Sequence, residues 1–354
     1  MSANVKINEL PSGNFNAKVF DYTDTAGKRH YKSITAPSKR EVKKMIAEFL
    51  AERDNKKASV PDMTVGEAIE KYIEIKNNVL SPSTIRGYKK IRYRNLQNLM
   101  DIKIVRLTAE DVQIEINKES ATHSPKTVRN MHGLLSSALS MYAPSLVLKT
   151  TLPQKNKSEI KIPTEIEVQK MLSAVADTEL EIPIYLAAFC GLRASEISAL
   201  KWSDIDLENR TMHINKALVL DDEGVYVEKG TKTVAGTRTV RLFTPVYNTL
   251  NKSERATEKV TTITPQQLKN KFFAMLNKND IPHYRLHDLR HYTVSVMLAL
   301  NIPKKYIADY VGHESERMID EVYGHIMQNA KNDFMEKADD YFTNFLSNAT
   351  QNAK

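Results

Sequence analysis

The sequence predicts a mixed, mainly α fold with a small sheet near the N-terminus, an all-helical middle and an α+β C-terminal half. Three patterns lead to this: polar–apolar alternation over 13–36, helical spacing over 64–142, and short strand-like runs between 210 and 242. Polar segments without periodicity, 55–61 and 150–163, separate the patterns. The predicted domains are residues 1–58, 63–150 and 158–354.

The N-terminal domain is predicted as two strands backed by one helix. The strands lie on either side of a polar turn at Asp24–Gly27, and the helix runs from Lys39 to about Glu52. Basic side chains on the hairpin suit a strand face that enters a DNA groove, and they suit an ordinary charged surface equally well. The candidate DNA-binding residues here are Lys18, Lys28, Arg29 and Lys32.

The second helix of the middle domain carries positive charge along one side. Ser81 is its predicted cap, Pro82 its first residue, and the helical pattern continues to Leu99. A basic stripe of this kind suits phosphate contacts, although a solvated helix face is a common alternative. The candidate DNA-binding residues here are Arg86, Lys89, Lys90 and Arg94.

The C-terminal domain begins with a helix capped by Thr164, with Glu165 and Glu167 in its first turn. An apolar helix over 182–190 follows. The tail over 330–346 is amphipathic, and docking on its own domain or on a neighbouring protomer both remain open. The predicted strands of this domain are 210–218, 224–228 and 237–242.

Charge and cysteine content narrow the class of protein. The 354-residue chain has a formal net charge of +8. Residues 1–60 carry net +5, residues 61–155 carry net +5, and the remainder carries net −2. A positive charge confined to the first half indicates a polyanion-binding surface. The single cysteine, Cys190, excludes a disulfide framework and fits a reducing cytoplasm; the N-terminal sequence MSANVKINEL is not expected to be a signal peptide.

The stretch from Ile281 to Tyr323 concentrates chemically active side chains. His287 and Arg290 are three residues apart and share a helix face, and Gly312 is predicted to end a helix just before His313. Tyr323 follows ten residues after His313. A cation, two imidazoles and a phenol together suit attack on a phosphodiester.

The same stretch also resembles a metal-ligand ladder, since His283, His287 and His291 step by four. Pro282 and the polar residues after it predict that the helix begins only near His287, which places His283 off that face. We therefore expect no metal and no cofactor. The sequence also lacks a GxxxxGK[ST] phosphate loop.

Taken together, the motifs resemble those of the tyrosine recombinase (phage integrase) family over nearly the whole chain. GLRASEISALKWSDID at 191–206 is similar to the first family motif and HDLRH at 287–291 to the second. VGH at 311–313 with EVYGH at 321–325 is similar to the third. The N-terminal domain resembles the arm-type DNA-binding domain of phage and conjugative-transposon integrases, and the resemblance makes 63–150 a core-site DNA-binding domain and 158–354 the catalytic domain.

Elementary chemistry agrees with the roles that the resemblance implies. Arg193 and Arg290 are suited to neutralise the transition-state phosphate, because a guanidinium binds two oxygens and keeps its charge. Tyr323 is the candidate nucleophile, and His287 is placed to take or return its proton. His313 is expected to donate a hydrogen bond to the phosphate.

Two further roles rest on the resemblance alone. Lys232 corresponds to the acid that protonates the leaving 5′-oxygen, with Lys229 in the same connector as a rival. Glu196 corresponds to the family's supporting acid. Tyr323 also has rivals: we expect Tyr306 and Tyr310 to pack within a helix and Tyr341 to belong to the tail stripe.

The resemblance implies a metal- and ATP-independent enzyme that works on double-stranded DNA. It also implies a homotetramer on DNA, with an excision factor and a host DNA-bending protein as possible partners. A type IB topoisomerase-like relaxing enzyme and a non-catalytic DNA-binding regulator are the alternatives. The sequence does not distinguish a prophage from a conjugative transposon.

Overall fold

The computed structural model describes residues 5–23, 29–58, 61–155, 160–230, 236–317 and 319–320, with the side chains of 22–23 and 52–58 excepted. The chain folds as two compact units: residues 1–157 with 221–223, and residues 158–220 with 224–354. The predicted division into three domains stays a prediction. The mixed, mainly helical fold with small antiparallel sheets is confirmed. None of the described helices is both long and apolar enough to cross a membrane.

The first unit begins with a three-stranded antiparallel sheet covered on one face by a helix. Its strands, in the order β1-β2-β3, enclose a small apolar cluster against the helix that includes Val19, Ile34 and Val42. The first strand was not predicted from the sequence, and the helix extends beyond Glu52. The elements are β1 (Ile7–Glu9), β2 (Phe15–Thr23), β3 (Arg29–Ala36) and α1 (Lys39–Ala58).

Strand register separates the predicted basic residues of this sheet onto two faces. Lys18 pairs with Ser33 and is exposed on the face away from α1. Lys32 instead pairs with buried Val19, and its Nζ lies 4.6 Å from the centre of the Phe49 ring of α1. The geometry therefore favours Lys18 over Lys32 as a contact of the free sheet face. Arg29 is exposed at the end of β3, and Lys28 lies outside the described residues.

The rest of the first unit is helical, as the sequence predicts. Its helices surround one apolar cluster, and side chains cap their first turns: Thr64, Ser81, Thr108 and Ser124 each accept a backbone hydrogen bond. The elements are α2 (Val65–Lys76), α3 (Pro82–Arg94), α4 (Gln97–Met100), α5 (Ala109–Ser120) and α6 (Pro125–Tyr142).

The continuous helix predicted from Ser81 to Leu99 is wrong, because the chain turns after Arg94. Leu96 adopts a left-handed φ of 55° and is fully buried. Its N–H donates to Glu119 Oε1 at 2.7 Å, so an acid on α5 holds the turn. A buried N–H needs such a partner, and the partner lies 23 residues away. Local periodicity therefore did not reveal the break.

The second unit combines helices with two small antiparallel sheets, β4-β5-β8 and β6-β7. A large apolar cluster joins its helices to the first sheet. The elements are α7 (Glu165–Val175), α8 (Glu181–Phe189), α9 (Ala194–Ile197), β4 (Ile205–Asp206), β5 (Thr211–Ile214), β6 (Lys216–Leu220), β7 (Tyr226–Gly230), β8 (Arg238–Arg241), α10 (Thr244–Lys252), α11 (Pro265–Lys278), α12 (Leu286–Ala299) and α13 (Lys304–Val311).

Two predictions for this unit need correction. The predicted strand 210–218 is two strands, β5 and β6, that belong to different sheets. Lys229 does not lie in a connector: it is part of β7 and pairs with Ala217 of β6. The amphipathic tail lies outside the described residues.

Candidate active site

The site is built where the end of α8, the start of α12 and the end of α13 meet. Gly191 follows α8 with a φ of +62°, a conformation that favours glycine. A Cβ there would lie 3.0 Å from Val311 Cγ1 and 3.7 Å from Arg290 Cγ. The absence of a side chain thus lets α13 and Arg290 approach the backbone just before Arg193.

Arg193 is the N-cap residue of α9. Its Nη1 donates to Glu196 Oε1 at 2.6 Å, and its Nη2 donates to the Gly312 carbonyl at 3.1 Å. The side chain is 37% exposed. Arg193 is therefore oriented by two contacts and still open on one side.

Helix α12 begins at Leu286, which confirms the predicted start near His287. Arg285 and Asp288 form its capping box. Arg290 is 1% exposed, and its Nη1 donates to the Gly191 carbonyl at 2.7 Å. His283 lies off the helix and stacks on Phe273 at 4.5 Å between ring centres. The ladder of three histidines is therefore not formed.

Helix α13 ends at Gly312, as predicted, with a left-handed φ of 73°. The Gly312 carbonyl accepts from Arg193 Nη2 and lies 3.5 Å from Arg290 Nη2. Carbonyls at a helix end lack partners within the helix and attract cations. The end of α13 thus gathers both predicted phosphate-binding arginines beside His313.

The site histidines are held neutral near pH 7. Loss of hydration around the His287 ring, together with His291 and Arg290 nearby, lowers its pKa to about 4, although the residue as a whole is exposed. The same desolvation, with Arg290 and Arg193 nearby, lowers the pKa of His313 to about 3. The His313 Nδ1 is buried and has no hydrogen-bond partner among the described residues. The positive charges of Arg193 and Arg290 beside these neutral rings make the site suited to bind an anion.

This electrostatic arrangement predicts a pH-dependent stability. The folded pKa values of His287 and His313 lie below the ordinary value of about 6.5, so the unfolded chain binds more protons between that pH and about 4. Stability should therefore fall as the pH falls through this window. Replacing both histidines by asparagine should flatten the pH dependence of the melting temperature. An equally steep dependence in the variant would contradict the assignment.

Glu196 is the buried centre of a charged triad, of which the sequence indicated only two members. It is 4% exposed and accepts from Arg193 and also from Arg238 Nη2 at 2.9 Å. Burial alone raises the pKa of Glu196, but the hydrogen bond and charge of Arg238, with the charge of Arg193, outweigh it and lower the pKa. No role was predicted for Arg238 from the sequence. The one available signal was that Arg238 follows the connector that carries Lys232.

The tyrosines differ from expectation in one respect. Tyr310 is partly buried, and its hydroxyl lies 3.2 Å from the Phe189 carbonyl and 3.1 Å from the Arg241 carbonyl, so it packs as predicted. Tyr306 is 66% exposed, so the expected helix packing is wrong for it. It lies near the start of α13, about 10 Å along the helix axis from His313. The predicted nucleophile Tyr323, its rival Tyr341 and the predicted acid Lys232 lie outside the described residues.

A second polar surface lies in the first unit, in a concave groove between α3 and α6. We call it the α3–α6 groove. Lys90 and Arg94 line it, together with Arg129 and His123, which were not selected from the sequence. Arg86 and Lys89 are exposed on α3. Asn95, which follows Arg94 at the helix break, also lines this groove.

Comparison with known proteins shows which family the chain resembles. The model of the phage integrase family matches residues 161–330, which hold the gathered arginines and histidines. A tyrosine recombinase XerC-like protein of Caldanaerobacter subterraneus is 23% identical over 90% of this chain and 94% of its own length. Residues 161–330 thus match the phage integrase family, and the chain is similar to tyrosine recombinases over most of its length. It is a tyrosine-type site-specific recombinase.

Solved structures share the fold of this recombinase. The Tn1549 transposon integrase, in complex with transposon right-end DNA, matches with a TM-score of 0.66 and 18% identity, covering 78% of the recombinase and 99% of that chain. A lambda integrase tetramer bound to a Holliday junction matches with a TM-score of 0.54 and 17% identity, covering 89% and 94%. Both likenesses extend over most of the recombinase.

Proposed function

We propose that this recombinase cuts and rejoins double-stranded DNA through a 3′-phosphotyrosine intermediate, and so integrates and excises a mobile element such as a prophage. One observation carries the proposal: Arg193 and Arg290 meet at the Gly312 carbonyl, beside His313. Two fixed cations with neutral imidazoles nearby suit the charge that develops on a phosphate under attack.

In the proposed reaction the Tyr323 oxygen attacks the phosphorus and the bond from phosphorus to the 5′-oxygen breaks. His287 is assigned to accept the phenol proton: its pKa, lowered to about 4 without bound phosphate, leaves the imidazole unprotonated at neutral pH. Lys232 gives a proton to the leaving 5′-oxygen, with Lys229 as the rival acid. The intermediate retains a phosphodiester bond, so the reverse attack by a 5′-hydroxyl rejoins DNA without ATP or metal.

The arginines and His313 serve the phosphate in different ways. Arg290 is buried and fixed by the Gly191 carbonyl, so it presents a preorganised charge. Arg193 has an exposed side, from which it can donate to a second phosphate oxygen. His313 is assigned to donate a hydrogen bond to the phosphate. Its buried Nδ1 has no hydrogen-bond partner among the described residues.

DNA binding is assigned to surfaces of the first unit. The α3–α6 groove offers Lys90, Arg94 and Arg129 to the phosphate backbone of the core site. The free face of the N-terminal sheet, with Lys18 and Arg29, is assigned to arm-type sites. We retain Arg86 and Lys89 as further contacts.

The assembly is proposed to be a homotetramer that joins two DNA sites and exchanges strands in pairs. The solved lambda integrase tetramer on a Holliday junction supports this arrangement. An excision factor and a host DNA-bending protein would set the direction of the reaction. We place the recombinase in the cytoplasm of a bacterial host, where its DNA lies.

The test uses full-length protein and a nicked duplex that carries the DNA flanking its gene, because an integrase gene commonly adjoins its attachment site. We expect a detergent-resistant adduct at the 3′ end of the broken strand, with a free 5′-hydroxyl on the other fragment, in EDTA and without ATP. Absence of any adduct, or attachment through a 5′ end, would contradict the proposal. Relaxation of plasmids that lack the site would indicate a topoisomerase instead.

A further inference from the structure

Arg238 is a buried arginine outside the predicted catalytic set. It is the first residue of β8 and is 7% exposed. A guanidinium is costly to bury, so its donors need partners and its charge needs a counter-ion. Its surroundings supply both.

The side chain of Arg238 makes hydrogen bonds to Glu196 and to the Tyr310 carbonyl, which lie beside the site residues. Nη2 donates to Glu196 Oε2 at 2.9 Å, and Nη1 lies 3.4 Å from Glu196 Oε1. Nε donates to the Tyr310 carbonyl at 2.9 Å, and Nη1 lies 3.3 Å from the Gly236 carbonyl. Arg238 thus ties β8 to α9 and to the last turn of α13, two residues before Gly312.

The charge of Arg238 affects how much positive charge Arg193 can offer to a phosphate. Glu196 is shared between two arginines, and the triad of Arg193, Glu196 and Arg238 has a formal charge of +1. Without Arg238, Arg193 would be the one cation left beside the buried carboxylate in the part of the chain that the structure describes, and that pair would be neutral. Arg193 would then be drawn towards Glu196 and would offer less charge to a phosphate.

We infer that Arg238 is a positioning residue for the reaction: it neutralises Glu196 and thereby keeps the guanidinium of Arg193 aligned and available to the scissile phosphate. The inference rests on the proposed function of Arg193 as a phosphate-binding cation. Arg238 itself is enclosed by protein groups and acts through Glu196.

The test compares Arg238→Met with Arg241→Met in the full-length protein. Arg241 lies on the same strand with an exposed side chain, so it is a matched control. We expect Arg238→Met to slow single-turnover formation of the covalent adduct on the nicked duplex by about 100-fold, in line with loss of one preorganised electrostatic contact. DNA affinity should change by less than about threefold, and Arg241→Met should react at the wild-type rate.

A second substrate separates positioning from general damage to the fold. A methyl group in place of one non-bridging oxygen removes the charge of the scissile phosphate, so fewer cations are needed in the transition state. The defect of Arg238→Met relative to wild type should shrink to less than about tenfold on this substrate. An equal defect on both substrates would overturn the inference, since a purely structural role slows both alike.

Two further variants control for the possibility that Arg238→Met destabilises the fold. The double variant Glu196→Gln/Arg238→Met has no unpaired buried carboxylate. We expect it to cleave less than about threefold more slowly than the single variant Glu196→Gln. Arg238→Lys keeps the charge and should recover part of the rate. Full loss on adding Arg238→Met to Glu196→Gln would overturn the inference, as would a wild-type rate in Arg238→Met. If the wild-type protein itself forms no adduct, the proposed function fails first.

Discussion

Tyr323→Phe is expected to abolish covalent capture of DNA while leaving DNA binding unchanged. The substitution removes one oxygen, and without it there is no nucleophile to form the phosphotyrosine bond. The groups assigned to hold the phosphate, Arg193 and Arg290, remain in place. The measurement is adduct formation on the nicked duplex under denaturing conditions, alongside a mobility-shift titration of the same DNA.

Tyr306→Phe is the matched control for this prediction. Tyr306 is an exposed tyrosine on α13 and a rival nucleophile on sequence grounds. Its loss should leave both adduct formation and DNA binding at wild-type levels. Continued capture by Tyr323→Phe, or loss of capture in Tyr306→Phe, would show that the nucleophile is assigned wrongly.

Arg290→Met is expected to reduce single-turnover cleavage by at least about 1000-fold, the upper range for removing a preorganised donor from a charged transition state. Arg290 combines burial at 1% exposure with a 2.7 Å hydrogen bond to the Gly191 carbonyl. Its loss removes the fixed cation and also leaves that carbonyl without its donor. The rate of adduct formation at saturating protein measures the effect.

Arg290→Lys distinguishes charge from geometry at this position. Lysine keeps the positive charge but lacks the planar fork that reaches both Gly191 and Gly312. We expect a rate between those of wild type and Arg290→Met, and a melting temperature above that of Arg290→Met. Cleavage by Arg290→Met within about tenfold of wild type would contradict the assigned role.

The local parts of the fold were predictable because their causes are local. Thr164 caps α7 in a box with Glu167, and Pro82 begins α3, as short-range rules require. Gly312 ends α13 in the left-handed conformation that glycine favours. Of these positions, Gly312 fixed the helix end that precedes His313.

The remaining features depend on partners far away in sequence. The turn at Leu96 exists because Glu119 of α5 accepts its N–H, and periodicity within α3 carries no sign of this. Likewise, Arg193 and Arg290 are oriented by backbone carbonyls, which every residue has and no motif marks. The role of Arg238 emerged only from its contacts with Glu196 across the fold.

The central claim is that Tyr323 becomes covalently joined to DNA, and peptide mapping of the wild-type adduct tests it most directly. After nuclease and trypsin treatment, the relevant tyrosines fall on separate peptides: Tyr323 on 318–331, Tyr306 and Tyr310 on 306–317, and Tyr341 on 338–354. We expect mass spectrometry to find the nucleotide phosphate on peptide 318–331, at its only tyrosine. Attachment to either of the other peptides would contradict the account.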